Sequence, residues 1–148
     1  MSSRGPSATV RLAFPPEPRL LGTIRLVVGI VARNAGVDEE GIEDLKVAVS
    51  ETCAVAVGDL SRAGLDTVIE LDLTSDDDRF GVEVRDRAPG GASAMVIGDP
   101  VNIDDRQFGL ALVGALVDDL RTVAREGGGH QISFSLPRAV AGEPPGPA

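Results

Sequence analysis

A single carboxylate stands in the middle of an apolar helix. From Gly41 to Leu60 the chain reads GIEDLKVAVSETCAVAVGDL, and Ile42, Leu45, Ala48, Val49, Cys53 and Ala56 recur at three- and four-residue spacing. Val47, Ala54, Val55 and Val57 widen that face, so other elements are expected to cover most of the circumference. Glu51 falls inside this run. A carboxylate buried there is costly without a partner, which makes it the first candidate for chemistry. Taken alone it reads first as a partly exposed helix carboxylate with a local cation. Asp86 closes an alternating segment and suits a strand-end turn. The lone histidine, His130, follows Gly127–Gly129 and reads as a strand-edge residue, with a pH-sensitive contact in a closed pocket as the alternative. Cys53 is most simply a small buried hydrophobe. The glycine run reads as a hairpin turn, since no helix follows it to bind phosphate. The acidic run Asp76–Asp78 lacks the calcium-loop spacing and reads as a solvated turn.

The elements that must position these residues follow from period and punctuation. Ala8 to Phe14 alternates and predicts a first strand, ended by Pro15-Pro16. Arg19 to Ala35 predicts a helix with Leu20, Ile24, Val27, Val28 and Val31 on one stripe and Gly36 as its stop. Asp38 is the expected N-cap of the Glu51 helix, with Glu39 and Glu40 in a first turn that favours anions. Thr67–Thr74 and Phe80–Arg85 predict a hairpin around Ser75–Asp78. An irregular stretch from Arg87 to about Ile103 is long enough to suggest a functional or mobile loop. Asp104 can cap a helix from Asp105 to about Asp119, and Leu120–Arg125 and Gln131–Leu136 predict a closing hairpin. The order β-α-α-β-β-α-β-β implies a two-layer α/β sandwich, one mostly antiparallel sheet with three helices on one face. We expect one domain over residues 8–137, a disordered N-terminus over 1–7 and a disordered Pro/Gly-rich tail over 138–148.

Composition narrows the function classes. The 148 residues suit one core, and with 3% aromatics and no Trp or Tyr that core must be built from Val, Leu, Ile and Ala. A net charge of −9 argues against direct nucleic acid binding, which needs a cationic face, and is compatible with docking on a basic protein surface. One cysteine excludes a disulfide framework and a Cys-based zinc site. No run is apolar enough to span a bilayer and no signal peptide is evident, so the expectation is a cytoplasmic protein without membrane contact.

The element order, together with EDLKVAVSETC on the second helix, resembles the anti-sigma factor serine kinases of the GHKL ATPase superfamily, which share the Bergerat, or histidine-kinase-like ATPase, fold. The resemblance covers Val10 to Pro137. In that family the helix carries a Glu, the general base toward the accepting hydroxyl, and four residues later an Asn that helps hold Mg²⁺. Here the Glu is Glu51 and the Asn position is Val55, which cannot ligate a hard cation. The family's Asp-x-Gly-x-Gly, whose Asp reads the adenine amino group, falls on Asp86-Arg87-Ala88-Pro89-Gly90, so the Asp and the last Gly are kept. Its Gly-x-Gly before the third helix, where backbone amides cradle phosphate, reads Gln107-Phe108-Gly109-Leu110, with one Gly kept and Arg106 able to supply a cation. Its Gly-Thr pair before the last strand is Gly129-His130, without the hydroxyl.

The resemblance thus implies Glu51 as catalytic base, with Asp86, Gly90, Arg106 and Gly109 toward ATP or ADP. It assigns no residue to a metal, and Val55 counts against Mg²⁺. Phosphoryl transfer depends on positioning and charge neutralisation, so loss of the metal ligand points to weakened or absent kinase activity. The expected role is a regulator that binds a sigma factor and an anti-sigma antagonist in a partner switch. The alternatives are an active ATP-dependent kinase acting on that antagonist and a nucleotide sensor without phosphotransfer. The family also suggests a homodimer, although the first helix's apolar stripe is equally well spent within one chain.

Overall fold

A computed structural model describes residues 8–88 and 105–139, apart from the side chains of Asp105, Arg106 and Gln107. Among these residues five strands, β1 (Ala8–Phe14), β2 (Ile69–Ser75), β3 (Arg79–Asp86), β4 (Asp118–Ala124) and β5 (His130–Pro137), form one sheet in the order β1-β2-β3-β5-β4. Every pairing is antiparallel. The helices are α1 (Leu21–Asn34), α2 (Glu39–Arg62) and α3 (Asp105–Leu116), with a short 3-10 turn at Pro18–Leu20. α2 lies over the central strands and is flanked by α1 and α3. This is the predicted two-layer sandwich.

Each long helix starts and stops for local reasons. Asp38 caps α2, its Oδ1 accepting the Gly41 N–H at 2.7 Å. α1 ends in a left-handed glycine, Gly36, with Val37 N–H donating to Ala32 O and Gly36 N–H to Arg33 O. α2 repeats the same closure at Gly64, through Leu65 N–H to Leu60 O and Gly64 N–H to Ser61 O. This double bond satisfies carbonyls that the helix end leaves orphaned.

The core lies between the sheet's inner face and α2. Ile42, Leu45, Val49, Cys53, Ala56 and Leu60 of α2 are fully buried, opposite Ile69, Leu71, Leu73, Phe80, Val82, Val84 and Phe134. The period-2 alternation of β3 and β5 puts Asp86 and His130 on that inner face as well. The outer face carries charge. Arg11 grips Asp72 with two hydrogen bonds, Nε to Oδ1 at 2.9 Å and Nη2 to Oδ2 at 3.2 Å, and Arg85 Nη1 reaches Asp72 Oδ2 at 2.9 Å and Glu83 at 2.8 Å.

Several boundaries differ from the sequence expectation, the start of α1 at Leu21 instead of Arg19 among them. α3 stops at Leu116 instead of running to Asp119, and β4 begins at Asp118. Asp118 Oδ2 accepts from Arg79 Nη2 at 2.8 Å, and Asp119 takes a left-handed φ of 57°, a conformation Asp tolerates, at a register shift in the β4–β5 ladder. β2 starts at Ile69 and not at Thr67. The chain stays hydrogen-bonded past β5. Arg138 N–H donates to Asp78 O, Ala139 N–H to Gly36 O, and the Arg138 guanidinium reaches the carbonyls of Ala35 and Asp76.

Candidate functional site

One face of α2 carries the site. Glu51, Val55 and Asp59 are four residues apart and so lie in line along the helix, Glu51 and Asp59 about 12 Å apart along its axis. Each meets a different neighbour.

At the first position Glu51 is half-buried against α3. A Cβ built on Gly109 would lie 2.9 Å from Glu51 Oε2, so the carboxylate rests directly on the glycine backbone. Gly109 is buried within α3. The structure therefore joins the expected base and the retained phosphate-motif glycine, and gives that glycine a packing role. Arg106 lies in the first turn of α3, but its side chain is outside the described residues, as is Gly90. Their expected contacts with a nucleotide lie outside the described residues.

At the middle position Val55 is 6% exposed and forms an apolar cluster with Leu110 of α3 and Ile132 of β5, with Leu120 packed against it. The position that the family gives to a Mg²⁺ ligand is occupied here by hydrocarbon contact between three elements. These residues do not fit a hard cation, which requires oxygen ligands.

At the third position Asp59, Asp86 and His130 converge. Asp86 and His130 are direct partners in the β3–β5 register, and His130 Nδ1 lies 3.0 Å from Asp86 Oδ1. The same oxygen accepts the Ala88 N–H at 2.8 Å. Asp86 and His130 are each 3% exposed and Asp59 is 8% exposed. Arg62 Nη2 donates to Asp59 Oδ1 one turn along the helix. The retained Asp86 is thus a held, buried carboxylate, which fits reading a base amino group. His130 is not an exposed strand-edge residue but the partner of that carboxylate, taking the place where the family pattern has a hydroxyl.

The turn before His130 explains the glycine of that pattern. Gly129 has φ 104°, and a Cβ on it would fall 2.0 Å from Asp86 O and 2.9 Å from Arg87 Cα. Only glycine lets β5 approach β3 this closely. Arg125 Nη1 donates to the same Asp86 carbonyl at 3.0 Å, closing the β4–β5 turn over the end of β3. Cys53, on another face of α2, is fully buried, and burial pushes its thiol up to about 12, so it is a packing residue.

Asp59 is the residue that pattern reading of the sequence missed. Its signal was present in the spacing from Glu51 through Val55. Only the sheet register shows that Asp86 and His130 arrive beneath it.

Residues 14–136 match the family described as the histidine kinase-like ATPase domain, and the chain belongs to that family. Among curated relatives it is similar to the serine-protein kinase RsbW of Bacillus licheniformis, 32% identical over 68% of this chain and 57% of that protein. It is also similar to the serine-protein kinase RsbW of Bacillus subtilis, 27% identical over 90% of this chain and 87% of the relative. Among solved structures, the RsbU and RsbW domains of Rv1364c from Mycobacterium tuberculosis superpose with a TM-score of 0.66 at 21% identity, over 91% of this chain and 34% of that one. That likeness shows the fold. The chain spans little more than half the length of the first of these relatives and a third of the mycobacterial one.

Proposed function

We propose that the chain is an anti-sigma-factor-like regulator that binds a sigma factor and an anti-sigma antagonist in a partner switch, with kinase activity weakened or lost. The observation that carries this reading is Val55 in its apolar cluster with Leu110 and Ile132. Phosphoryl transfer draws most of its charge neutralisation from metal ions and cations, and the position for the metal ligand is closed by packing. The relatives named as serine-protein kinases support descent from a kinase scaffold. The net charge of −9 suits a partner with a basic face.

Asp86 favours a second reading, a nucleotide sensor. Its carboxylate is held by Ala88 N–H and His130 at the bottom of the site, so ATP or ADP can be read at the base while no phosphate moves. Calorimetric titration with ATP and with ADP, with and without Mg²⁺, separates the readings. Binding that is indifferent to Mg²⁺ supports the sensor. No binding at millimolar nucleotide leaves the protein-binding regulator, and pull-down with sigma factors follows. Tight binding that strengthens with Mg²⁺ overturns both and makes the active kinase, with Glu51 as base, the leading assignment. The Val55→Asn variant sharpens the result, because phosphorylation of a candidate antagonist by it alone would show a pocket intact but for the metal ligand. It buries an amide in the apolar cluster at a cost of about 1–3 kcal/mol, so folding is checked first.

A further inference from the structure

Asp59, Asp86 and His130 come from α2, β3 and β5, three elements far apart in sequence. One ligand-type atom from each, two carboxylate oxygens and a ring nitrogen, lie within 4.8 Å of one another, and all three residues are buried. Bonds of about 2.0–2.2 Å to one ion put its ligand atoms within about 4.4 Å of each other, so small side-chain adjustments close the triangle. The outer partners are also in place. Arg62 anchors Asp59, and Ala88 N–H fixes Asp86 Oδ1. Such partners orient ligands around metal sites. Two carboxylates and an imidazole, ligand types that a transition-metal ion takes, are thus packed together away from water.

We propose that Asp59, Asp86 and His130 form a binding site for a divalent transition-metal ion of the zinc class. Two carboxylate oxygens and one imidazole nitrogen suit such an ion and leave a position for water. The site is separate from the Mg²⁺ position of the family pattern, which lies one turn of α2 away at Val55. It does not rest on the nucleotide reading, and because both use the Asp86 carboxylate the two are alternatives at that residue. A bound ion would clamp α2, whose buried side chains are mostly apolar, to the hydrogen-bonded β3–β5 seam.

The test uses the full chain stripped with a chelator and titrated with Zn²⁺ alone. His130 is the only histidine, so its ring ¹⁵N and ¹³C resonances report on the site without assignment ambiguity. The expected result is saturation at one equivalent with a shift of the His130 ring signals, and visible absorption when Co²⁺ replaces Zn²⁺. His130→Gln and Asp59→Asn should each weaken binding by more than about 100-fold, beyond the loss caused by removing an outer partner. Cys53→Ala should leave it unchanged, because the buried thiol is no ligand. Ring signals that do not move at millimolar Zn²⁺ would overturn the proposal, and so would stoichiometric binding that survives in His130→Gln. Should either variant fail to fold, the ring spectrum of the unaltered chain decides alone, and a stationary ring overturns the proposal.

Discussion

Gly129→Ala should be far more damaging than Gly127→Ala, although both glycines have positive φ and lie two residues apart. Gly127 has φ 84° with nothing within 4 Å of its would-be Cβ, so alanine there costs only the left-handed penalty, about 1–2 kcal/mol. Gly129, at φ 104°, carries the same kind of penalty and a collision. Its Cβ would sit 2.0 Å from Asp86 O, and the two strands must separate by about 1 Å before that contact reaches 3.0 Å. Both sides of the collision are backbone, so no side-chain rotation relieves it. Overpacking of this kind costs about 1–3 kcal/mol, and losing one ladder hydrogen bond adds about 1 kcal/mol. The total is about 3–6 kcal/mol, a large share of the 5–15 kcal/mol typical of a domain. The chain has no Trp or Tyr, so urea unfolding is followed by far-UV circular dichroism. With a slope of about 1–3 kcal/mol/M, the midpoint of Gly129→Ala should fall at least about 0.7 M below that of Gly127→Ala. Midpoints within experimental error of each other would refute the close approach of β5 to β3, and with it the geometry of the Asp86–His130 pair.

Three further outcomes follow from the same contacts. Burial opposes ionisation of Asp72, but hydrogen bonds from Arg11 and Arg85 outweigh it and hold the carboxyl below its usual range. A depressed folded value means stability that is present at neutral pH and lost as the pH falls through that value. Asp72→Asn should therefore cost about 1–2 kcal/mol at pH 7, with a difference that shrinks below about pH 4; a penalty independent of pH would contradict this. Cys53, fully buried with its thiol raised to about 12, should react with an aromatic disulfide reagent only as fast as the protein opens, and immediate stoichiometric labelling of the native chain would show it exposed. Gly109→Ala meets only the movable end of Glu51, so stability should hold or rise by up to about 1 kcal/mol through helix propensity, and a loss above about 2 kcal/mol would mean that Glu51 is fixed in place.

What the sequence disclosed and what it withheld divide along local and distant causes. The N-cap Asp38, the stop at Gly36 and the alternation of β2 and β3 are written in neighbouring residues, and the structure has them where the pattern predicts. The end of α3 was misjudged because it depends on Arg79, which is 39 residues from Asp118. The same holds for the site. Glu51 was conspicuous as a carboxylate in an apolar run, and Asp86 as a strand end. The burial of His130 against Asp86, and the place of Asp59 above them, depend on a register that no local window contains. Val55 could be read as a lost ligand, but not as the centre of a three-element apolar cluster.

The seam between β3 and β5 also has a consequence in time. β2 and β3 meet at Ser75 and Phe80, and β4 and β5 at Ala124 and His130, so each hairpin closes a short loop. Asp86 and His130 are 44 residues apart, and their pairing must close a loop containing α3 and one whole strand. Loop-closure entropy sets such contacts later on the folding path than the local ones. The residues of the pocket are therefore assembled by a pairing slower than either hairpin, and a nascent chain would hold two finished hairpins before it holds a site. Low φ-values at Ile132 beside high ones at Val82 or Leu73 would be the kinetic signature of that order, and the reverse pattern would exclude it.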